Sequence, residues 1–315
     1  LIVTALLVSP QPASGYLKMG FQFGPRQVSL RWNQFPVRYY VANAGAPGVT
    51  AADFQAAVGR AFATWQAVPT AAISYQLGGI TATAPDNGDG LSTLGFADRP
   101  DLDRVLATTS LLVDDSTGSI VEADIVLNSS FPWSAAAAGE AGRFDVESIV
   151  LHEVGHLSGL GHSAIGETEL GPEGGRRVIA AEAVMFPVAF SAGSTADRTL
   201  RADDIAGLSD LYPDQDFATN RGSLSGRVTK SGVGVFGAHV VAFNLRTGAI
   251  VANFSLSSRG AFSIAGLSPG VYVVRVEPLD DANIDGFFSA SEGVDIDFRV
   301  TYFDRLVVVS QGGDS

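Results

Sequence analysis

One eleven-residue run constrains this chain more than any other part of its sequence. Residues 152–162 read His-Glu-Val-Gly-His-Leu-Ser-Gly-Leu-Gly-His and contain three of the chain's four histidines. On a helix of about 3.6 residues per turn, His152 and His156 share one face and can bind the same metal ion. Gly159 can take the left-handed conformation that ends a helix, which lets the chain bring His162 to that ion. The run therefore predicts a zinc site with three protein ligands and one position left for water or substrate.

Glu153 gives this predicted metal site a base. It follows His152 directly, so its carboxylate lies close enough to take a proton from a metal-bound water. A short His-Glu-x-x-His match arises by chance in unrelated helices, but the added glycine and third histidine make the full pattern much rarer. The sequence therefore predicts a zinc-dependent endopeptidase that hydrolyses peptide bonds by a zinc-activated water, with Glu153 as the general base.

The same run resembles the metzincin metalloproteases, and Ser163 directly after the third histidine is similar to the matrixin branch. Residues 183–187, Ala-Val-Met-Phe-Pro, are similar to the Met-turn, the loop beneath the metal, although matrixins usually show Tyr where Phe186 stands. Further similar segments are residues 118–125, 144–148 and 200–213. The resemblance covers about residues 28–215. It implies that Met185 forms an apolar floor below the zinc and that Asp203 and Asp204 support the site from the last helix of the catalytic domain.

The resemblance also implies how a substrate binds. Metzincins hold an extended peptide beside an edge strand, which here is the strand near residues 104–111. Pro187, Val188 and Phe190 then wall the pocket just beyond the cleaved bond. These side chains are apolar, so we expect an apolar residue on the C-terminal side of that bond.

Composition excludes several kinds of site. The chain of 315 residues has 20 basic and 33 acidic residues, a net charge of −13, which argues against a nucleic-acid partner. It has no cysteine, so disulfides, thiolate ligands and the cysteine switch of many matrixins are all excluded. Only His239 lies outside the run, so the second, structural zinc of many matrixins is not expected. We expect one zinc per chain, a monomer, and proteins or peptides as substrates.

Two acidic clusters are candidates for calcium, which prefers carboxylate and carbonyl oxygens. The first is a glycine-containing loop, and the second lies around a turn between two predicted strands. The alternative is that both are solvated turns. The candidate ligands are Asp86 and Asp89 in the first cluster and Asp114, Glu122 and Asp124 in the second.

The resemblance implies an α+β metzincin-like catalytic domain over residues 28–213, a twisted and mostly parallel sheet over two helices. Thr50 caps a helix whose apolar residues recur at helical spacing, and Asp145 caps the helix of the zinc run. Residues 166–177 are rich in glycine and charge and predict a loop. Strands are predicted at residues 37–41, 73–77, 105–113 and 120–127.

A different composition begins after a polar linker at residues 214–221. Residues 222–315 carry short β-rich runs separated by Gly, Ser and Asn, which predicts an all-β sandwich. Residues 222–278 resemble the carboxypeptidase regulatory-like, transthyretin-like domain, usually an accessory module. We expect each unit to bury its own core, so that a chain ending near Asp216 folds and cleaves short peptides.

The first fifteen residues predict the cellular route of the protein. Residues 1–8 are apolar and residues 9–15 are small and proline-rich, which resembles the end of a secretory signal peptide. The alternative is a buried strand. Eight apolar residues are too few to span a bilayer, and no other segment approaches that length without charges. We therefore expect a secreted, extracellular protein without a membrane span.

Two other functions stay open. One is a protease of narrow specificity that processes a single surface protein. The other, from a different class, is a secreted binding or adhesion protein in which the β-sandwich is the working part and the zinc site is structural or vestigial. An intact Glu153 argues against the second function, whereas a zinc-loaded protein that cleaves no peptide would support it.

Overall fold

The computed structural model describes residues 18–23, 26–85, 88–102, 104–170, 175–288 and 293–315. The expected signal segment, residues 1–15, and the calcium candidate Asp86 lie outside these ranges. The helices are α1 (Ala51–Gln66), α2 (Val146–Leu157), α3 (Ala202–Leu211) and α4 (Phe217–Asn220). None of the helices in the described ranges is long and apolar enough to cross a bilayer.

The strands form two groups that meet near α3. Those of the first group are β1 (Gly20–Phe23), β2 (Arg26–Ser29), β3 (Val37–Ala42), β4 (Tyr75–Thr81), β5 (Thr93–Ala97), β6 (Ala107–Val113), β7 (Ile120–Asn128), β8 (Trp133–Ser134), β9 (Phe144–Asp145), β10 (Gly166–Leu170) and β11 (Arg176–Ala181). Those of the second group are β12 (Gly222–Arg227), β13 (Thr229–Lys230), β14 (Val233–Gly234), β15 (His239–Asn244), β16 (Ile250–Phe254), β17 (Ala261–Leu267), β18 (Gly270–Glu277), β19 (Thr301–Tyr302) and β20 (Val307–Val309).

A five-stranded sheet in the order β4-β3-β5-β7-β6 organises the first group. Its pairs are parallel except for β6 with β7, so the expected α+β arrangement with a mostly parallel sheet is observed. β6 lies at one edge, as the resemblance implied. The central strand β5 was not predicted. Its five residues are few, and the Asp- and Gly-rich sequence before them is typical of a loop.

Helices α1 and α2 pack together beside this sheet. The predicted stripe of α1 is fully buried, and the Trp65 indole N–H donates to the Leu151 carbonyl of α2 at 2.7 Å. The Tyr39 ring of β3 stacks on Phe62 at 3.7 Å between ring centroids. Asp145 caps α2, as expected, by accepting from the Ser148 amide at 2.9 Å. Helix α2, which carries His152 and His156, is therefore held by the contact with α1 and by the cap at its start.

One prediction, the loop at residues 166–177, is corrected in its described part. Strands β10 and β11 pair antiparallel there, with Gly166 opposite Ala181 and a bulge at Glu167. An ion pair joins Glu169 to Arg177 across the two strands. Most side chains of such a two-stranded ribbon face solvent, so its charged composition resembled that of a loop.

Residues 222–315, which we call the C-terminal β region, are β-rich as predicted. A five-stranded sheet has the order β16-β15-β18-β19, with β20 also on β18, and the smaller pairs are β12-β17 and β13-β14. The preceding segment, expected to be a linker, contains the short helix α4 and buries Phe217.

Helix α3 contributes to both parts of the molecule, whereas the sequence predicts two separate cores; the domain bounds stay a prediction. One continuous cluster of buried apolar side chains includes Leu208 of α3, Leu224 and Ile264 of the C-terminal β region, and the core of α1 and α2. A Cβ atom added to Gly266 would lie 2.9 Å from the Ala206 Cβ, so α3 and β17 are in close contact. The two parts therefore share apolar surface that neither buries alone.

Candidate metal centre

The three histidines of the run converge. One ring nitrogen of each can be chosen so that all three atoms lie within 4.8 Å of one another. His152 and His156 lie one turn apart on α2, and the Nε2 atoms of His156 and His162 are 3.2 Å apart. Gly159 has a φ of +94° and ends the helix, and a Cβ atom there would lie 2.3 Å from the Leu30 carbonyl oxygen. Glycine is therefore required at the turn that returns His162 to the site.

A backbone carbonyl orients each imidazole. The Nδ1 atom of His152 lies 2.7 Å from the Val184 carbonyl oxygen, and that of His156 lies 2.8 Å from the Leu160 oxygen. The His162 Nδ1 atom lies 2.8 Å from the Gly286 oxygen. An Nδ1–H that donates to a carbonyl leaves the lone pair on Nε2, the tautomer that metal ligation needs.

Burial keeps these imidazoles neutral. It lowers the pKa of His152, and it lowers the pKa of His162 to about 4. The pKa of His156 is well below its usual value because of burial and because His152 and His162 would place like charges beside it. Three neutral, convergent nitrogen donors suit Zn²⁺ and leave room for a fourth ligand. The residues present therefore fit the zinc ion that the run predicts.

We expect about one tightly bound zinc ion per chain. Among the described residues, the histidine trio is the only group of three or more potential ligand side chains that could hold a metal ion. Elemental analysis of the purified protein checks this ratio. His162→Ala should lose the metal together with any activity, and a ratio near two in the unmodified protein would reveal a further site.

Glu153 lies beside the trio and is only 5% exposed. Its Oε2 atom accepts a hydrogen bond of 2.6 Å from the Thr109 hydroxyl of β6. Burial raises the pKa of Glu153 to about 7, and the Thr109 hydrogen bond opposes that rise. A carboxylate with a pKa near neutrality is matched to proton transfer at neutral pH. The sequence analysis did not identify Thr109. Thr109 and Leu111 are two residues apart on β6 and therefore share a face, so the apolar Leu111 could have indicated that Thr109 also faces inward.

Replacement of Thr109 by valine should move the acidic limb of the pH profile of peptide cleavage to higher pH. The Thr109 hydrogen bond lowers the pKa of Glu153, so its removal leaves less of the ionised base at pH 6. A hydrogen bond to a charged group is worth at least about 1.5 kcal/mol, so kcat/KM at pH 6 should fall roughly tenfold. Thr108→Val, on the neighbouring residue, is the matched control. An unshifted profile for Thr109→Val would contradict this role.

Met185 packs under α2 and is 3% exposed, and its role as the floor of the zinc site stays a prediction. A Cβ atom on Gly155 would lie 2.2 Å from the Met185 sulfur, so only glycine fits between the helix and this turn. The Asp204 carboxylate accepts from the Val184 amide at 2.9 Å and from the Met185 amide at 3.1 Å. Asp204 therefore holds the Met-turn in place, and the Val184 carbonyl in turn holds His152.

Asp203 connects the same region to the C-terminal β region. Its Oδ1 atom accepts a hydrogen bond of 2.9 Å from the Ala252 amide of β16. The side chain also bonds to Ser163, directly after the third histidine, and burial raises the pKa of Asp203 to about 8. The expected support from α3 thus reaches both the metal centre and the second half of the chain.

The residues of the predicted pocket wall contact two different parts of the molecule, a cavity beside α2 and an apolar cluster. Pro187, Val188 and Phe190 are all half-buried. Phe190 lines a narrow cavity beside the start of α2 whose other lining residues include Phe144, Ile149 and Ala189. Val188 and Phe190 also pack against an apolar cluster that contains Phe186, Phe287 and Phe288.

Among the described residues, the calcium candidates do not form a group of three ligand side chains that could hold an ion, although the charges of Glu122 and Asp89 act on Asp124. Both carboxylate oxygens of Glu122 accept from backbone amides, those of Gly88 and Gly90. Asp124 accepts from the Thr93 amide at 2.8 Å, and Asp114 accepts from its own turn at Ser116. Amide donors occupy positions that a cation would need to fill. Asp89 lies in the loop that carries these amides, Asp86 is outside the described residues, and calcium binding stays a prediction.

Comparisons with known proteins agree with this geometry. The matrixin family pattern matches residues 31–172. Metalloendoproteinase 1-MMP of Arabidopsis thaliana is 28% identical over 198 residues, which are 58% of this chain and 44% of that protein. Metalloendoproteinase 5-MMP of the same plant is 36% identical over 87 residues, which are 28% of this chain and 19% of that protein. The chain spans less than half the length of these relatives. The matches and the histidine trio together support a metalloprotease of the matrixin type.

Proposed function

We propose that this chain is a secreted zinc-dependent endopeptidase in which Glu153 is the general base. The observation that carries this proposal is the convergence of three neutral imidazoles with a buried carboxylate beside them. A purely structural zinc site needs no such carboxylate, and four closed protein ligands are typical of structural sites. Secretion rests on the apolar N-terminal segment alone.

The zinc ion and the residues around it are proposed to have separate roles in hydrolysis. A zinc ion, when bound, supplies a Lewis acid that acidifies water and polarises the scissile carbonyl. Glu153 accepts the proton of the attacking water and passes it to the leaving amine. Thr109 holds the carboxylate by its 2.6 Å hydrogen bond, so the base keeps one orientation while it is ionised.

The edge strand β6 is the proposed site for the substrate backbone. It pairs with β7 on one side and ends the sheet on the other, so an extended peptide can add along its free edge. Thr109 lies in the middle of this strand and bonds to Glu153, so a peptide paired along β6 would run close to the base. Backbone pairing of this kind is partly independent of sequence and suits an endopeptidase.

Cleavage should favour an apolar residue on the C-terminal side of the cut bond. The apolar part of the cavity beside α2 is formed by Phe144, Ile149, Ala189 and Phe190, and the rest of its lining consists of Asp145, Asp197 and three serines. Cleavage-site profiling on a proteome-derived peptide library measures this preference. A preference for acidic or basic residues at that position would contradict the proposed wall.

The same library tests the proposed reaction. Incubation of the full chain should produce cleavage that stops when a zinc chelator is added and returns with zinc. Glu153→Gln serves as the matched inactive variant. A zinc-loaded protein that cleaves no peptide would overturn the proposal and support the binding or adhesion alternative.

The C-terminal β region is proposed to be an accessory β-sandwich of the transthyretin-like kind. Its short antiparallel strands and the sequence resemblance support this proposal. The whole protein is proposed to act as a monomer on protein or peptide substrates.

A further inference from the structure

A segment of the C-terminal β region reaches the metal centre. A short 3-10 turn spans Ile284–Gly286, and its Gly286 carbonyl oxygen lies 2.8 Å from the Nδ1 atom of His162. The next residue, Phe287, meets the His162 ring edge-on at 5.9 Å between ring centroids. The third histidine is therefore contacted on its nitrogen by Gly286, 124 positions further along the chain, and on its ring by the residue that follows.

This segment is fixed by the core of the C-terminal β region. The Gly286 amide donates to the Asn283 carbonyl at 3.0 Å and the Phe288 amide donates to the Ile284 carbonyl at 2.9 Å. Phe287 and Phe288 are 4% and 1% exposed. Both rings pack on Phe254 of β16, with centroids 5.5 and 5.0 Å away. The position of the Gly286 carbonyl is thus set by β16 and its neighbours.

The three imidazoles differ in where their acceptors come from. Leu160 and Val184, which orient His156 and His152, belong to the run and to the Met-turn. The acceptor for His162 comes from the C-terminal β region. We propose that Gly286 is the positioning residue of the third zinc ligand, so that the C-terminal β region completes the metal centre and raises its zinc affinity.

The size of the effect follows from the role of such acceptors. A carbonyl on Nδ1–H fixes the ring orientation and tautomer and makes Nε2 a better donor. Loss of an outer partner of a metal ligand typically weakens metal binding by about 10- to 100-fold. The inference rests on the zinc site alone and holds whether or not the protein cleaves peptides.

Zinc affinity of the full chain tests the proposal. Gly286→Pro removes the amide that bonds to Asn283 and disfavours the turn before it, so the carbonyl leaves His162. Gly286→Ala is the conservative variant, since an added Cβ atom would have only His162 Nδ1 within 4 Å, at 4.0 Å, and the carbonyl stays. Competition with a chromophoric chelator gives the zinc Kd, and the melting temperature of the zinc-free protein reports folding. The absorption spectrum of the cobalt-loaded protein reports the ligand geometry.

We expect Gly286→Pro to fold, to bind zinc about 10- to 100-fold more weakly than the unmodified chain and to change the cobalt spectrum. Gly286→Ala should keep the zinc affinity and the cobalt spectrum of the unmodified chain. Unchanged zinc affinity in folded Gly286→Pro would overturn the proposal, as would an equal loss in Gly286→Ala. If Gly286→Pro does not fold, NMR of the zinc-loaded unmodified chain with ¹⁵N-labelled histidines decides. A His162 Nδ1 that is protonated and exchanges slowly supports the proposal, and an unprotonated or rapidly exchanging Nδ1 refutes it. Neither measurement uses a substrate, so a failed peptidase assay leaves both interpretable.

Discussion

Glu153→Gln is expected to keep its zinc while its turnover of a cleavable peptide falls by roughly 10²-fold or more. Glutamine preserves the shape of the side chain, and its carbonyl oxygen can still accept from Thr109, but it cannot take a proton from water. The three imidazoles and their carbonyl partners do not involve this carboxylate. Zinc content by elemental analysis and kcat with a peptide identified by library profiling measure the two effects separately.

His162→Ala provides the opposite control, because it should lose metal and activity together. Full activity in Glu153→Gln would show that Glu153 is not the general base. The Thr109 hydrogen bond would then have no role in catalysis. Loss of zinc in Glu153→Gln would instead mean that the carboxylate takes part in holding the metal.

Local spacing was enough to predict the parts of the site that lie within one run. His152 and His156 share a helical face, Asp145 caps that helix, and Gly159 takes the left-handed conformation that returns the chain. These features depend on backbone geometry over a few residues, which sequence patterns report directly. The position of β6 at the sheet edge came from the family resemblance.

Tertiary contacts account for what the sequence did not predict. Thr109 contacts Glu153 from a position 44 residues away, and Gly286 contacts His162 from 124 residues away. The Gly286 contact uses a backbone carbonyl, which every residue type offers, so no side-chain motif marks it. The pair of β10 and β11 was mistaken for a loop because glycine and charged residues dominate residues 166–177 of the sequence.

Helix α3 joins the two units that the sequence predicts to be separate domains. Its amphipathic pattern and the proline that follows resemble the end of a self-contained domain. In the structure Asp204 holds the Met-turn, while Asp203 accepts from the Ala252 amide of β16. Ile205 and Ala206 lie on the other side, where they and Val251 line a cavity of about 220 Å³ between α3 and the C-terminal β region. The helix is therefore an internal layer of the molecule.

A chain ending at Asp216 is accordingly expected to be insoluble, or soluble with zinc binding at least about 10-fold weaker than that of the full chain. The cut removes Leu224 and Ile264 from the shared cluster and leaves α3 with an exposed apolar face. A fully buried leucine or isoleucine contributes about 1.5–3 kcal/mol, so a few lost contacts approach the roughly 5–15 kcal/mol that stabilises a domain. Asp203, whose raised pKa reflects its burial, also loses its partner at Ala252.

Solubility, thermal melting and zinc Kd of the shortened chain, measured beside the full chain, separate the two contributions. An insoluble product shows that the shared core dominates. A folded product with weakened zinc binding assigns the loss to the missing Gly286 carbonyl, which Gly286→Pro in the full chain should reproduce. A shortened chain that melts cooperatively, binds zinc as tightly as the full chain and cleaves short peptides as fast would contradict both, because neither α3 nor His162 would then need the C-terminal β region.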